Sequence, residues 1–156
     1  MPLYRIREML IEDIPVLLEI ERHSFPTPWT EELFKSQLRL KGIGLNRVIL
    51  EEEEVVGYAA AWVASDELHL LSIAVEPAKR RMGIGSRLLE AVMQEGRERG
   101  AKKIILEVRQ RNRRAQSFYY YHGFKIIGRR ARYYSDTGED ALIMERSLEQ
   151  RGFGPS

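Results

Sequence analysis

The segment from Ser72 to Ser86 constrains the fold more than any other part of the chain, because its pattern runs from an apolar strand directly into a helix. The apolar residues up to Val75 predict the end of a strand, and Pro77 stops it. Residues 80–85 then read Arg-Arg-Met-Gly-Ile-Gly and lead into an amphipathic stretch. A glycine-rich turn at a helix N-terminus exposes unpaired N–H groups at the positive end of the helix dipole. The segment therefore predicts a binding site for a phosphate group.

Three patterns of phosphate-binding turn can be compared with this segment. A Walker loop needs a lysine and then Ser or Thr after its last glycine, whereas Gly85 is followed by Ser-Arg. A dinucleotide fingerprint needs a small residue three places after Gly85, where Leu88 stands. A third pattern is Arg or Gln, two residues, Gly, one residue, and Gly or Ala, and it fits Arg80, Gly83 and Gly85. As an isolated string, this third pattern also fits a helix start with a purely structural role.

Length and composition predict one folded domain. A chain of 156 residues with 44% hydrophobic and 31% charged residues is typical of a single globular domain. We predict that residues 1–150 form this domain and that residues 151–156 form a flexible tail. No apolar run reaches the length of a membrane span and no signal peptide is evident, so we expect a cytoplasmic protein that does not bind membranes. The absence of cysteine excludes disulfides, thiolate zinc sites and a cysteine nucleophile.

Hydrophobic periodicity and turn residues predict the order β-α-α-β-β-β-α-β-α-β-β, which is typical of a single α/β sandwich with a mixed sheet. Pro15 fits only the first turn of the first helix, and Thr30 is expected to cap the second. Gly100 is expected to end the third helix in a left-handed conformation. The predicted strands cover residues 4–7, 47–51, 55–64, 67–75, 103–108, 124–134 and 141–148, and the predicted helices cover about 12–21, 30–40, 83–99 and 113–121.

Several further stretches stand in the order and at the spacing of one known family. They are Phe25-Pro26 with Trp29, Ile73-Ala74-Val75, Leu106-Glu107-Val108-Arg109 with Asn112, Phe118-Tyr119 with Gly123-Phe124, Tyr133-Tyr134, and Glu139-Asp140-Ala141. On these stretches and the turn, the chain resembles the GNAT superfamily of N-acetyltransferases over about residues 4–148. Within it, the chain is most similar to the ribosomal-protein alanine acetyltransferases and to archaeal N-terminal acetyltransferases. The resemblance implies the GNAT fold, an α/β fold whose mixed, mostly antiparallel sheet has about seven strands flanked by four helices.

The resemblance also implies acetyl-CoA as the co-substrate and no metal. In this family the pantetheine arm lies along the strand before the turn and the pyrophosphate binds the turn's amides, so most contacts involve main chain. The implied contacts are Ile73, Ala74, Val75, Arg80, Arg81, Met82, Gly83, Ile84, Gly85, Ser86, Asn112 and Tyr119. For Asn112, capping of the following helix is an alternative role.

Two residues correspond to the family's acid and base. Glu107 matches the proton acceptor, although the strand alone also allows a solvent-facing glutamate or a partner for Arg109. Tyr119 matches the tyrosine that protonates the coenzyme sulfur, and a phenol with a pKa of about 10 is still a donor at neutral pH. Tyr120 and Tyr121 are interpreted as packing residues of an amphipathic helix.

The acceptor loops are assigned by resemblance. Phe25, Pro26, Trp29, Tyr133 and Tyr134 belong to loops that flank the acceptor's N-terminus, and a small satellite core is the alternative role, above all for Trp29. The leading interpretation is acetylation of a protein N-terminal α-amine, with a ribosomal protein as candidate acceptor. The alternatives are a small amine or a lysine side chain as acceptor, or an RNA- or ribosome-binding module without catalysis.

Arginine outnumbers lysine by 19 to 6, and many of the arginines fall between residues 80 and 132. Because arginine binds phosphate oxygens bidentately, this distribution indicates an anionic ligand. The cluster from Arg109 to Arg114 fits the 3′-phosphate of CoA, an acidic acceptor or RNA, and the sequence does not choose among them. His69 is either a packed strand residue or an auxiliary base acting through water. His23 and His122 lie in no cluster that indicates a metal site.

Overall fold

The computed structural model describes residues 2–149, which contain seven strands and four α-helices. In chain order these are β1 (Tyr4–Glu8), α1 (Ile14–Arg22), α2 (Glu31–Leu38), β2 (Gly44–Glu51), β3 (Glu54–Ala64), β4 (Glu67–Val75), α3 (Ile84–Glu98), β5 (Lys103–Arg109), α4 (Arg113–Tyr121), β6 (Lys125–Tyr134) and β7 (Glu139–Ser147). Short 3₁₀ segments precede α1 (Ile11–Asp13) and α3 (Pro77–Lys79). The predicted element order is confirmed. The tail predicted over residues 151–156 lies outside the described residues.

All seven strands form one sheet in the order β1-β2-β3-β4-β5-β7-β6. Every neighbouring pair is antiparallel except β4 and β5, which are parallel. The predicted mixed, mostly antiparallel sheet with four helices is therefore confirmed. Among residues 2–149, no helix has the length and apolar character needed to cross a membrane. The assignment of residues 1–150 to a single domain stays a prediction.

The residues predicted to begin, cap or end helices have these roles in the structure. Pro15 lies in the first turn of α1, the Thr30 hydroxyl accepts a hydrogen bond from the Leu33 N–H at 3.2 Å, and Gly100 has a φ of 95° after α3. The first helix begins later than predicted, because the Asp13 carboxylate accepts bonds from the Arg7 guanidinium and the Leu10 N–H, which fixes a 3₁₀ turn there. The second helix ends two residues earlier than predicted, and β2 begins three residues earlier.

Two hydrophobic cores lie on opposite faces of the sheet. The larger core holds α3 against the sheet through side chains at helical spacing, which are Leu88, Leu89, Val92 and Met93, all fully buried. The smaller core packs α1 and α2 on the other face and contains Leu17, Phe34 and Tyr58. Each such large side chain contributes roughly 1.5–3 kcal/mol by burial, as an upper estimate. The two cores make the sheet a rigid support for the loops at its edges.

The parallel strands β4 and β5 separate after a short paired region. Only Glu67–His69 of β4 pair with Lys103–Ile105 of β5. Immediately beyond, the β3–β4 register shifts, since Ala61 pairs with Leu70 while Ala60 pairs with Ser72, and Leu71 is the extra residue of a bulge. A bulge bends its strand and increases the local twist. The second half of β4 therefore diverges from β5 and leaves an opening in the centre of the sheet.

Candidate functional site

A cavity of about 630 Å³ lies where β4 leads into the turn before α3. Its walls are the end of β4, the turn, the start of α4 and the α1–α2 loop. The lining residues are Ser24, Phe25, Ile73, Ala74, Val75, Lys79, Arg80, Arg81, Gly83, Ile84, Gly85, Ser86, Asn112, Arg114, Ala115, Phe118 and Tyr119. Every residue predicted to contact the cofactor lies in this lining except Met82, whose side chain is 55% exposed. Their roles as cofactor contacts stay predictions.

The turn before α3 has the backbone shape of an anion-binding site. Arg81 has a φ of 67° and Gly83 a φ of 77°, so left-handed residues alternate with right-handed or extended ones. Such alternation directs successive N–H groups to one side and forms a concave nest for anions. Gly83 is also the N-cap of α3, and the first N–H groups of a helix have no partner within the helix. Main-chain donors and the helix dipole thus face the cavity together.

Four cationic side chains line the cavity: Lys79, Arg80, Arg81 and Arg114. The Arg80 guanidinium donates to the Val75 carbonyl at 3.3 Å and to the Ser24 hydroxyl at 3.0 Å. These bonds hold the turn against both β4 and the α1–α2 loop. Burial, followed by the neighbouring charge of Arg114, lowers the pKa of Arg80. The concentration of positive charge suits a diphosphate, which carries several negative oxygens.

Glu107 projects from β5 at the point where β4 diverges. Its Oε1 lies 2.9 Å from Nε2 of His69, the last β4 residue paired with β5. The two side chains are 13% and 19% exposed, and the His69 ring packs edge-on against Trp62 at 4.9 Å between centroids. Glu107 is therefore neither fully solvent-facing nor the partner of Arg109. The carboxylate–imidazole pair can accept a proton and share it between two groups.

Tyr119 lies on α4 with its ring packed between Phe118 and Phe124, both at 5.3 Å between centroids. It is 8% exposed and lines the cavity, and no residue in the range 2–149 hydrogen-bonds to its hydroxyl. Burial, followed by the charge of Tyr134, raises the pKa of Tyr119 above its ordinary value. The phenol consequently keeps its proton at neutral pH and can donate it into the cavity.

The neighbours of Tyr119 on α4 differ from the sequence interpretation. Tyr120 is 50% exposed and Tyr121 is 84% exposed, so their assignment as packing residues is wrong. Of the three tyrosines, only Tyr119 is buried, and it belongs to the larger core. Asn112 caps α4, since its Oδ1 accepts the Ala115 N–H at 3.1 Å, and it also lines the cavity. The Ser86 hydroxyl is engaged by Nε2 of the buried His122 at 2.8 Å.

The residues predicted for the acceptor loops are divided between the cavity and its surroundings. Phe25 is half-buried and lines the cavity, while Pro26 is exposed. Trp29 packs on Phe34 at 5.0 Å between centroids and belongs to the smaller core, which was its alternative role. Tyr133 is 48% exposed. Tyr134 is half-buried, and burial raises its pKa to about 12.

Sequence reasoning missed a buried polar network beneath the α1–α2 loop. The Glu21 carboxylate, which is fully buried, accepts hydrogen bonds from the Trp29 N–H at 2.6 Å and from the Tyr58 hydroxyl. The Tyr58 hydroxyl also lies 2.7 Å from the Ser72 hydroxyl on β4. Burial raises the pKa of Glu21, while its two donors act in the opposite direction. The network anchors the loop to the sheet, and the glutamate's place among helical charges gave no sign of it.

Ser24, Ala115 and Phe118 were also missed as lining residues, Lys79 was predicted only as part of the turn segment, and Arg114 was noted only as part of a basic cluster. Position next to predicted contacts was the available signal for these residues. Among residues 2–149, no group of three or more His, Asp or Glu side chains is arranged to hold a metal ion.

Several known proteins are similar to this chain in sequence and in fold. Residues 14–124 match the Acetyltransferase (GNAT) family. Over 139 residues the chain is 36% identical to a Bacillus subtilis (strain 168) protein provisionally named a ribosomal protein bS18-alanine N-acetyltransferase, covering 89% of this chain and 92% of that protein. It is 34% identical over 158 residues to the N-alpha-acetyltransferase of Sulfurisphaera tokodaii, covering 93% of each. The crystal structure of the ribosomal-protein-S18-alanine N-acetyltransferase from Escherichia coli has a TM-score of 0.86 and 31% identity, with 99% of both chains covered.

Proposed function

The chain belongs to the acetyltransferase (GNAT) family and is an acetyl-CoA-dependent N-acetyltransferase, and we propose that its acceptor is the N-terminal α-amine of a protein. The observation that carries the proposal is the opening between β4 and β5. The anion-binding turn and Tyr119 line the cavity at the end of β4. Glu107 is not among the lining residues and lies on β5, 2.9 Å from His69, the last β4 residue paired with β5. We infer that the cavity holds the diphosphate beside the general acid, Tyr119, and that the general base, Glu107, faces the same opening from β5.

The proposed reaction is a direct transfer in a ternary complex. The neutral amine nitrogen attacks the carbonyl carbon of the thioester, and a C–N bond forms. The proton lost by the nitrogen goes to the Glu107–His69 pair, whose atoms are 2.9 Å apart. The C–S bond then breaks, and the departing thiolate takes the proton of the Tyr119 hydroxyl. The products are the acetylated amine and CoA, and each catalytic group regains its starting state by proton exchange with water.

An α-amine suits this site better than a lysine side chain. An α-amine has a pKa of about 7.7–8.0, so about a tenth is neutral at pH 7, whereas a lysine amine with a pKa of about 10.4 is almost wholly protonated. The aromatic, proline-containing loop at Phe25 reaches the cofactor cavity, as expected for a slot that receives an extended chain end. Two of the similar proteins are named for the alanine N-terminus of a ribosomal protein. We therefore propose a ribosomal protein as the acceptor, with the reaction taking place in the cytoplasm.

The contacts proposed for each substrate follow from this arrangement. We assign the cofactor to the backbone of Ile73–Val75 and of residues 80–86, with Asn112 and Tyr119 at the acyl end. We assign the acceptor to Phe25, Pro26, Tyr133 and Tyr134, with Trp29 supporting the loop from the smaller core.

The decisive experiment incubates the protein with acetyl-CoA and a library of short peptides whose α-amines are free or blocked, and locates the acetyl group by mass spectrometry. We expect labelling of free α-amines and none of blocked peptides. Labelling confined to lysine side chains or to small amines would overturn the acceptor assignment. Salt-dependent RNA binding without any turnover of acetyl-CoA would favour the nucleic-acid-binding alternative instead.

A further inference from the structure

Polar contacts join two loops that lie next to the residues assigned to the acceptor. One is the α1–α2 loop, residues 23–30, and the other is the β6–β7 loop, residues 135–138. The Thr27 hydroxyl of the first loop donates a hydrogen bond to the Asp136 carboxylate of the second. Arg109, the last residue of β5, donates to the same carboxylate with both terminal nitrogens, at 2.9 and 3.2 Å. A single carboxylate therefore connects both loops to the end of a central strand.

Arg109 is held on several sides. Its side chain is 16% exposed and also lies 3.4 Å from Glu139, at the start of β7. Its guanidinium stacks over the Tyr134 ring at 4.0 Å from the centroid. Glu139 in turn accepts a hydrogen bond from the Arg111 N–H at 2.7 Å. A planar guanidinium with a bidentate carboxylate below an aromatic ring is a geometry that lysine cannot reproduce.

The contacts of Asp136 with Arg109 and Thr27 form a bridge between the two loops, and they make the Asp136 carboxylate more acidic. Hydrogen bonds from Arg109 and then Thr27 lower the pKa of Asp136 to about 2. The bridge therefore stays ionised throughout the range in which an α-amine can be acetylated.

We propose that Arg109 is a positioning residue for the acceptor, which fixes both acceptor loops to the strand that carries Glu107. The proposal rests on the function proposed above. Glu107 and Arg109 are two residues apart on β5 and so project to the same face of the sheet. One rigid strand then sets the position of the base, through Glu107, and of the peptide slot, through Arg109. Loops that are held in the peptide-binding geometry before the acceptor arrives reduce the entropy cost of binding, so loosening them should weaken peptide binding.

The test compares Arg109→Gln with a matched control. Arg47→Gln removes an arginine of similar exposure, 18%, that also forms a bidentate pair, but with Glu95 on α3 and not with a residue of either acceptor loop. We expect Arg109→Gln to raise the KM for an acceptor peptide by about tenfold, with a smaller change in kcat. The KM for acetyl-CoA and the calorimetric affinity for CoA should change by less than about twofold in both variants. Arg109→Lys should restore less than half of the lost peptide affinity, because it lacks the fork and the stacking plane.

Thr27→Val removes the exposed hydroxyl that donates to Asp136, so it tests the bridge from the other loop. This test does not depend on whether the Arg109→Gln variant folds. It should raise the peptide KM in the same direction by a smaller factor. The effects of Thr27→Val and Arg109→Gln should not multiply in the double variant, because both changes break one bridge. Multiplicative effects, or a peptide KM no more changed by Arg109→Gln than by Arg47→Gln, would overturn the proposal.

Hydrogen exchange separates this proposal from the proposed function. With CoA present, Arg109→Gln should speed exchange in both loops, residues 23–30 and 135–138, and leave β2 and β3 unchanged. Unchanged exchange in these loops would refute the bridge even if peptides are acetylated normally. If the wild-type protein acetylates no peptide, the proposed function fails, while the exchange result still decides whether Arg109 holds the loops.

Discussion

Replacement of Glu107 by Gln tests the assigned chemistry most directly. The amide has nearly the same volume and still forms a hydrogen bond with His69, so the opening between β4 and β5 should keep its shape. The change removes the negative charge to which we assign the role of proton acceptor. A positioned general base contributes about 10²- to 10⁴-fold, which corresponds to about 3–5.5 kcal/mol of activation free energy.

The surroundings of Glu107 narrow the loss of rate expected within this range. His69 remains 2.9 Å from position 107 and is itself only 19% exposed. It can therefore still accept the proton in the variant, although less effectively than the carboxylate. We therefore expect Glu107→Gln to lower kcat/KM by about 10²- to 10³-fold. Removal of both groups, in Glu107→Gln combined with His69→Gln, should bring the loss to about 10⁴-fold.

The pH dependence of the acetylation rate tests the assignment of Glu107 as the base in a second, independent way. At pH 7 about a tenth of an α-amine is already neutral, so raising the pH to 9 can restore at most about tenfold in the Glu107→Gln variant. Acetylation of a short peptide should be followed with saturating acetyl-CoA at both pH values, after thermal unfolding shows that the variant is folded. Glu145→Gln, a half-buried glutamate on β7 paired with Lys103, serves as the control and should keep wild-type rates. A Glu107→Gln rate within about threefold of wild type at pH 7 would refute the assignment of the base.

Three further predictions concern the turn, the acid and the loop bridge. Gly83→Ala should weaken CoA binding measured by calorimetry about five- to thirtyfold, because a side chain at a φ of 77° costs about 1–2 kcal/mol and the turn of the free protein can relax away from the shape that binds the diphosphate. Tyr119→Phe should lower kcat by about 10²-fold or more with little change in CoA affinity, since we assign its buried hydroxyl as the proton donor to the thiolate. The stabilising effect of Asp136 on the fold should be fully present above about pH 4 and disappear as the pH falls towards 2, because its pKa is lowered to about 2 in the folded state. The measurement is the free energy of unfolding in urea for the wild type and Asp136→Asn across this range.

Each of these predictions has its own control or contrary outcome. Gly100→Ala has the same left-handed strain in open space outside the cavity, so it should lose comparable stability and keep CoA affinity. Tyr120→Phe, at a half-exposed neighbour, should keep the wild-type rate, and a Tyr119→Phe variant that matches it would exclude the acid role. A stability difference between the wild type and Asp136→Asn that stays constant from pH 4 to 2 would contradict the lowered pKa.

Local features could be predicted from the sequence because their causes lie within a few residues. Thr30 caps α2, Pro15 occupies the first turn of α1 and Gly100 ends α3, each as its backbone chemistry requires. The strand–turn–helix segment around Gly83 depends on glycine's access to positive φ and on the helix dipole, which are also local. Periodicity predicted the element order and a mixed sheet, and family resemblance added that the sheet is mostly antiparallel with about seven strands. The order β1-β2-β3-β4-β5-β7-β6 within the sheet came only from the structure.

The tertiary structure decided which side chains meet. The sequence by itself determined the strand–turn–helix segment and predicted that it binds phosphate, and the family resemblance proposed Glu107 and Tyr119. The contact of Glu107 with His69, 38 residues away, depends on the register of β4 against β5. The bulge at Leu71 determines where those strands separate, and no residue type announces it. The contact between Thr27 and Asp136 joins positions 109 apart. Such contacts depend on how twisted strands and two cores place distant loops, and a linear pattern carries information mainly about a residue's own neighbours and its exposure to water.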